Sequence, residues 1–476
     1  MPSPAVPPFA RLAPRLVLLA ATLSSLTTMA NAQAPGASPA LTPPRITQGL
    51  LTSGTLPLDT IRTHGLRMFA APFNKTDGFG DGPMNPLDPT SPGGRPTLQN
   101  NGTFLRINGL DAQTCMECHS VISAATVPFT FGIGGVGGAN NNAMAMPTAI
   151  DVNDSQGHGF AAFNGRFINP PFLFGAGGIE LIGKEMTTEL QAKKLQAQQQ
   201  PNVPVRLLTK GVDFGTITFS QGVLDTSQVV GIDTDLVVRP FGRKGEFLST
   251  RDFDIAAMQF HFGMQPVEAV GTTDADGDGV TQEILVGELS ALSIFATTLE
   301  RPVVRPVQGA AQGRQVFETI GCTDCHRPRL DSTSPLLTYC FPEVPTDPAA
   351  NPYYIVNLRT NGPRFLPVPG GGIRVECFSD LKRHDMGPVL AESSGSPLAS
   401  QFVTARLWGV ADTAPYLHDG RALTLADAIL LHGGEALAAR NAFAALPNFR
   451  QEQLIAFLKS LRTPKDPAAG LDTSTL

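Results

Sequence analysis

The sequence predicts a mainly α, loop-rich chain built from two units of one architecture, with a small β insertion in the first. Three observations predict it. The string Cys-x-x-Cys-His occurs in each half, as Cys115–His119 and Cys322–His326, each time after a segment of helical period. Glycine and proline, 48 and 41 of 476 residues, supply many turns, while 28 phenylalanines within a 42% hydrophobic composition supply cores and exclude a disordered chain. Residues 204–240 change to an alternating period.

The length suits two or three domains. Charged residues are only 16%, against about 25% in typical soluble domains. A net charge of −6 and a pI near 5.8 exclude the basic footprint of a nucleic-acid binder. Beyond the N-terminus no apolar run is long enough to span a bilayer, so a multi-span membrane protein is excluded.

Arg11 and Arg15 precede the apolar run Leu16–Leu23, and Ala30-Asn31-Ala32 supplies a small-x-small pattern before Gln33. Residues 1–32 therefore read as a secretory leader cleaved after Ala32, an uncleaved anchor being the alternative. This implies a periplasmic or secreted protein with no span once the leader is removed. Residues 33–60 read as an extended Pro/Ala/Thr-rich lead-in. From Gly65 to Ser120 the expectation is a short helix, a Gly-rich turn at 77–82 and the first motif. Residues 132–147, with Met144 and Met146, read as a Gly/Asn-rich loop. Gly177 to Gln199 has helical spacing through Ile179, Ile182, Met186 and Leu190. Val212, Phe214, Thr216 and Thr218 alternate, and Val229–Val238 is rich in β-branched residues, so both stretches read as strand. Helix returns at 249–263 and 286–299. Arg301–Pro306 is the best boundary, dividing a first domain (33–300) from a second (301–476). The second opens with a helix from Gly309 into Cys322 and closes with helices near 424–432, 436–445 and 450–461.

Each Cys-x-x-Cys-His is the attachment pattern of a c-type haem. Two thiols three positions apart reach the two vinyl groups of one porphyrin, and the next residue places an imidazole under the iron. Cys115, Cys118 and His119 would hold one haem; Cys322, Cys325 and His326 the other. A redox disulfide or half a zinc site is the rival, and the adjacent histidine and export argue against both. The remaining cysteines, Cys340 and Cys377, flank a Pro/Gly-rich stretch; a disulfide is expected there, two free thiols being the alternative.

Phe402–Val410, Thr413–Arg421 and Ala428–Ala436, together with the two haem motifs, resemble the bacterial di-haem cytochrome c peroxidase superfamily, and more closely its di-haem oxidoreductase branch. The resemblance implies two cytochrome c-like haem domains. In the well-studied peroxidases of this superfamily a Met is the distal ligand of the electron-transferring haem. Here the end of the 424–432 helix offers His432. That suggests an iron between His326 and His432, which lowers the potential relative to His/Met ligation; a helix-end histidine capping carbonyls is the alternative. The resemblance implies that His418 and Arg421 lie beside this haem, Arg421 as a propionate partner. Trp408, the only Trp, lies either between the haems or in simple pocket packing.

A catalytic haem needs an openable distal position and a group that moves a proton between the peroxide oxygens. His158, Glu180, His261 and Met264 are candidates at the first haem. Pro170–Gly175 and Gly177–Glu180 resemble the family's stretch over this haem, which makes Glu180 the candidate acid/base; a first-turn carboxylate favoured by the helix dipole is the alternative. His261 or Met264 could be a removable sixth ligand, or simply a surface His and a core Met. Asp274, Asp276 and Asp278, alternating with Gly277 and Gly279 and followed by Glu283, form a candidate Ca²⁺ loop, although an EF-hand would place its Glu at position 285. The expected activity is reduction of H₂O₂ at the N-terminal haem, with electrons from a small donor protein or redox mediator relayed through the C-terminal haem. A purely electron-transferring cytochrome and a di-haem oxygenase for an apolar substrate are the rival readings; Phe172-Leu173-Phe174 fits the latter's channel weakly.

Overall fold

The computed structural model describes residues 38–80, 112–119, 143–151, 160–167, 169–392 and 398–466. The expected leader, His158, and most of the expected loop at 132–147 lie outside them. Helix accounts for 36% and strand for 16%. Helix thus exceeds strand, but the expectation of a mainly α chain is met only in part: among the described residues the short strands form six small antiparallel sheets.

Helix α1 (Gln48–Thr52) and the start of α2 (Leu58–Ala70) replace the expected extended lead-in, the rest of α2 is the short helix expected at Gly65, and strand β1 (Ala143–Asp151) occupies the end of the expected 132–147 loop, paired with β2 (Phe160–Phe167). Helix α3 (Ala176–Gln199) matches its periodicity, with Ile179, Ile182, Met186 and Leu190 fully buried. The β insertion is a meander of β3 (Val205–Thr209), β4 (Val212–Ser220) and β5 (Val223–Val229). It ends at Val229, because the β-branched run to Val238 follows turns at Gly231 (φ 76°) and Leu236 (φ 63°) instead of continuing as strand. Helices α4 (Thr250–Phe262), α5 (Val267–Val270) and α6 (Val286–Thr297) follow. Helix α6 is apolar on nearly every side and buried along its length, as an internal helix must be.

Strand β6 (Val303–Val304) leads into α7 (Ala310–Thr319). Seven short strands not expected from the sequence follow: β7 (Leu330–Asp331), β8 (Leu336–Cys340), β9 (Pro352–Asn357), β10 (Leu366–Pro367), β11 (Ile373–Val375), β12 (Arg383–Asp385) and β13 (Gln401–Val403). Each is too short to show a period. Helices α8 (Leu425–Leu430), α9 (Leu437–Ala444) and α10 (Asn448–Ser460) close the chain, and β14 (Leu461–Arg462) pairs with β6.

Three cores result. One surrounds Leu66, Phe69, Phe262, Met264 and Phe295 and receives Cys115 and Cys118. Another surrounds Phe317, Phe378, Phe443, Leu454 and Phe457 and receives Cys322. The largest joins α3, the β3–β5 meander, β8, β9, β11 and Trp408. The first two repeat one packing device. Helix α2 crosses α6 at Gly65, where a Cβ would strike the Ala291 carbonyl, and α7 crosses α10 at Gly313, where it would strike the Gln453 carbonyl. One turn later, Phe69 and Phe317 each lie against the histidine of a motif, at 6.1 and 6.3 Å between ring centroids and 48° and 47° between planes.

Cys340 and Cys377 are not bridged, which corrects the expected disulfide. Both are buried; the Cys340 thiol lies 3.3 Å from the Pro348 carbonyl and the Cys377 thiol 3.5 Å from that of Ser379. Their sequence context was compatible with a bridge, but β8 and the segment after β11 direct them to different carbonyls.

Candidate functional site

Both motifs form a single 3₁₀ turn, Cys115–Glu117 and Cys322–Asp324. Residues three apart eclipse in such a turn, so the two sulfurs of each pair face one way. The histidine N–H then bonds the first cysteine's carbonyl at 2.9 Å in both motifs. In the second motif Gly321 (φ 89°) starts the turn directly after α7. In the first the chain leaves α2 and returns to it: Phe73 N–H donates to the Gln113 carbonyl at 3.0 Å, and the Thr114 hydroxyl to the Phe69 carbonyl at 3.1 Å.

His326 and His432 face each other with ring centroids 6.4 Å apart. An iron bonded to one nitrogen of each ring at about 2 Å requires close to that separation. The Nδ1 of His326 bonds the Phe378 carbonyl at 3.0 Å, and the Nδ1 of His432 bonds the Ala428 carbonyl at 2.7 Å. Each Nδ1 is thus occupied as a donor, which leaves Nε2 with its lone pair for a metal. Burial, reinforced by the neighbouring His432, lowers His326 to about 4, so the imidazole is neutral as a ligand must be. The residues of the second motif fit a haem, and His432 fits its far side.

Around it lies a group that the sequence did not single out. The ring nitrogens of His384 lie 2.8 Å from Asp380 Oδ2 and 2.7 Å from Glu435 Oε2. Burial opposes its charge, but Asp380 and the nearby Cys325 sulfur hold its pKa up to about 11. The signal was present as His-Asp-Met-Gly at 384–387, without periodicity or spacing to give it meaning. His418 stacks on Phe402 at 4.5 Å, with Nε2 3.7 Å from Glu392, and burial lowers it to about 4. Its carbonyl accepts the Asn169 N–H at 2.9 Å, which ties this turn to the segment leading to Phe172 and Phe174. The Arg421 guanidinium is engaged by Asp419 at 2.5 Å and by the Val389 carbonyl at 2.7 Å, which does not favour it as a propionate partner. Trp408 is buried. It stacks on Phe365 at 26° and presses against Gly175, and its Nε1 has no hydrogen-bond partner among the described residues. It therefore joins the segment after Phe174 to the second half of the chain.

At the first motif, Glu180 is 1% exposed and both its oxygens are engaged. Oε1 pairs with Lys184 Nζ at 2.7 Å, and Oε2 accepts the Thr250 N–H and hydroxyl, both at 3.0 Å. Both oxygens are thus committed to structural contacts, which does not favour Glu180 as the acid/base. Asp254, one turn into α4, differs. Its Oδ2 is shielded from solvent and has no hydrogen-bond partner among the described residues. Burial, then the charge of Glu180, raises its pKa well above the ordinary carboxylate value. It is close enough to Cys115 to perturb that thiol, and its neighbour Ile255 packs in the same core as Cys115 and Cys118. A lone Asp inside a helix gave the sequence reading nothing to seize. Met264 is fully buried in that core, while half-buried His261 packs edge-on against Phe260 at 5.0 Å.

Asp274, Asp276 and Asp278 bring ligand oxygens within 4.8 Å of one another. Asp276 is 3% exposed, and neither of its oxygens has a hydrogen-bond partner among the described residues. This fits a hard cation. Glu283 is not in the cluster: its Oε2 accepts the Gln265 N–H at 2.7 Å.

Each half of the chain thus presents a thiol pair and a histidine in one repeated frame, the residues that a haem in each half would need. Residues 371–461 match the family described as "Di-haem oxidoreductase, putative peroxidase", in agreement with the resemblance read from Phe402–Ala436. Similar solved structures include hydrazine synthase of Kuenenia stuttgartiensis, at 19% identity over 44% of this chain and 61% of that one, with a TM-score of 0.25. They also include a MauG-like protein associated with microbial copper homeostasis, at 18% identity over 48% and 70%, with a TM-score of 0.27. The chain thus spans less than two thirds of the hydrazine synthase chain. No curated relative matches it. No helix among the described residues is long and apolar enough to cross a membrane.

Proposed function

We propose that the chain is an exported di-haem c-type oxidoreductase of two cytochrome c-like domains, 33–300 and 301–476, that reduces peroxide at the N-terminal haem. One observation carries this reading: each half presents the same 3₁₀ turn of Cys-x-x-Cys-His against a phenylalanine from a glycine-notched helix, and in the second half the His432 imidazole faces that of His326. A haem held by Cys115, Cys118 and His119 and another by Cys322, Cys325 and His326 would supply one-electron storage and transfer and a centre at which a small oxidant could react. H₂O₂ needs two electrons and two protons to become two waters. The cysteines hold the porphyrins covalently in an oxidising compartment. His326 and His432 close the second site, which suits electron entry from a small periplasmic donor protein or redox mediator. Asp254 holds a proton beside the first site. Trp408, packed on Gly175, lies on the path between the halves.

The test is the spin state of each iron in oxidised and half-reduced holoprotein. We expect one low-spin haem throughout and one that is high-spin in at least one of these states. His432→Ala is expected to abolish the low-spin signal of the second haem; its persistence would remove His432 as a ligand. Two permanently low-spin haems would indicate an electron-transfer cytochrome instead.

The acidic loop is assigned to Ca²⁺ through Asp274, Asp276 and Asp278, with Glu283 fastening the loop to Gln265. Without the ion, burial and then the Asp278 charge raise Asp276 to about 7, while burial, against the Gln265 hydrogen bond, raises Glu283 to about 9. Between about pH 4 and 9 the folded state keeps protons that the unfolded chain has released, so the stability of metal-stripped protein is expected to fall as pH rises through that window. Added Ca²⁺ should flatten the fall. A thermal midpoint that ignores Ca²⁺ at pH 8 would dispose of the assignment.

A further inference from the structure

The segment carrying His432 has little regular structure of its own. Helix α8 ends at Leu430, and the chain turns through Gly433 and Gly434 into Glu435. What holds it is β12. Glu435 Oε1 accepts the Asp385 N–H at 2.9 Å, and Oε2 meets His384 Nδ1 at 2.7 Å. On the far side of that ring, Nε2 lies 2.8 Å from Asp380 Oδ2, and Asp380 Oδ1 accepts the Thr404 hydroxyl at 2.7 Å. An imidazole between two carboxylates uses both N–H groups, and such charge-assisted bonds are short and strong. The backbones also meet. Gly434 (φ 51°) leaves no room for a Cβ beside the Asp385 carbonyl, and a Cβ on Gly387 (φ 76°) would lie 2.8 Å from the Gly434 nitrogen. The spacing between β12 and the ligand loop is therefore set by contact.

We propose that His384 and Glu435 form a clamp that positions His432 over the second haem, transmitting the fixed placement of Asp380 and Thr404 to the ligand loop. This rests on the reading of His432 as axial ligand. Neither residue touches the iron, so both are positioning residues. Loss of the clamp would let the loop swing and free the axial position intermittently, with the porphyrin and His326 left in place.

The test uses the matured holoprotein, with oxidised-state EPR and the rate of cyanide binding at the second haem. In Glu435→Ala and His384→Gln, cyanide is expected to bind about tenfold faster than in the unaltered protein, from the loss of a hydrogen bond to a charged group. Added imidazole should restore the low-spin signal. Glu435→Gln keeps an acceptor for the Asp385 N–H and should show a smaller increase. The first haem's signals serve as control against general unfolding. If Glu435→Ala does not mature, the Glu435→Gln rate decides alone: an increase supports the clamp and an unchanged rate overturns it. Wild-type rates in both Glu435→Ala and His384→Gln, with an opened haem in His432→Ala, would overturn the clamp alone. A second haem still low-spin in His432→Ala would overturn the ligand reading beneath it.

Discussion

Asp254→Asn is expected to slow peroxide reduction by about a hundredfold, the lower end of what a positioned general acid contributes, with the optical spectrum of the first haem unchanged. Oδ2 of Asp254 is buried without a hydrogen-bond partner among the described residues, and burial and the Glu180 charge raise its pKa, so it retains a proton where a surface carboxylate would have lost it. Asparagine matches its shape and has no proton to transfer. In the unaltered protein the rate should fall as pH rises through this raised pKa, because the protonated form is the active one; in the variant that limb should vanish. Glu180→Gln should leave turnover within about threefold, since Glu180 is engaged by Lys184 and Thr250. Steady-state turnover with a reduced donor distinguishes the two carboxylates. A full rate in Asp254→Asn would remove it from the chemistry.

Glu180→Ala is instead expected to cost stability, about 3–5 kcal/mol by denaturant titration of the holoprotein, the loss typical of breaking one side of a buried ion pair. It would take from Lys184, whose ammonium is buried and held charged against that burial by Glu180 and Glu343, its nearest carboxylate, leaving Glu343 at 3.9 Å. It would also leave the Thr250 N–H without its acceptor. The double variant Glu180→Leu with Lys184→Met should recover most of the loss, because removing both charges removes the desolvation problem. If the single and double variants proved equally unstable, the pair would not be the cause.

Legibility followed periodicity. Long helices such as α3, α4 and α10 stood out because each carries several turns of apolar spacing, and the β3–β5 meander stood out because Val212–Thr218 alternates. Strands β7–β13 did not, since two to six residues show no period and their pairing is set by distant partners such as Asp331 with Arg374. Within the site, the Cys-x-x-Cys-His strings were legible because local chemistry spaces them. Asp254 and the His384 clamp were not, because single residues acquire meaning only from neighbours remote in the chain. The Cys340–Cys377 expectation failed for the same reason: pairing by elimination takes no account of where β8 and β11 point each thiol.

The sequence by itself determined that each half carries a Cys-x-x-Cys-His string, since a thiol pair and an imidazole a few bonds apart are fixed by local spacing alone. It also determined where the main helices run. Only the tertiary structure decided which carboxylate beside the first motif is paired and which is isolated, and that His432 faces His326. It also decided that Glu435, beside His432, is bonded to β12. Those properties depend on desolvation and on angstrom-scale separation, which arise when segments far apart in the chain are packed together.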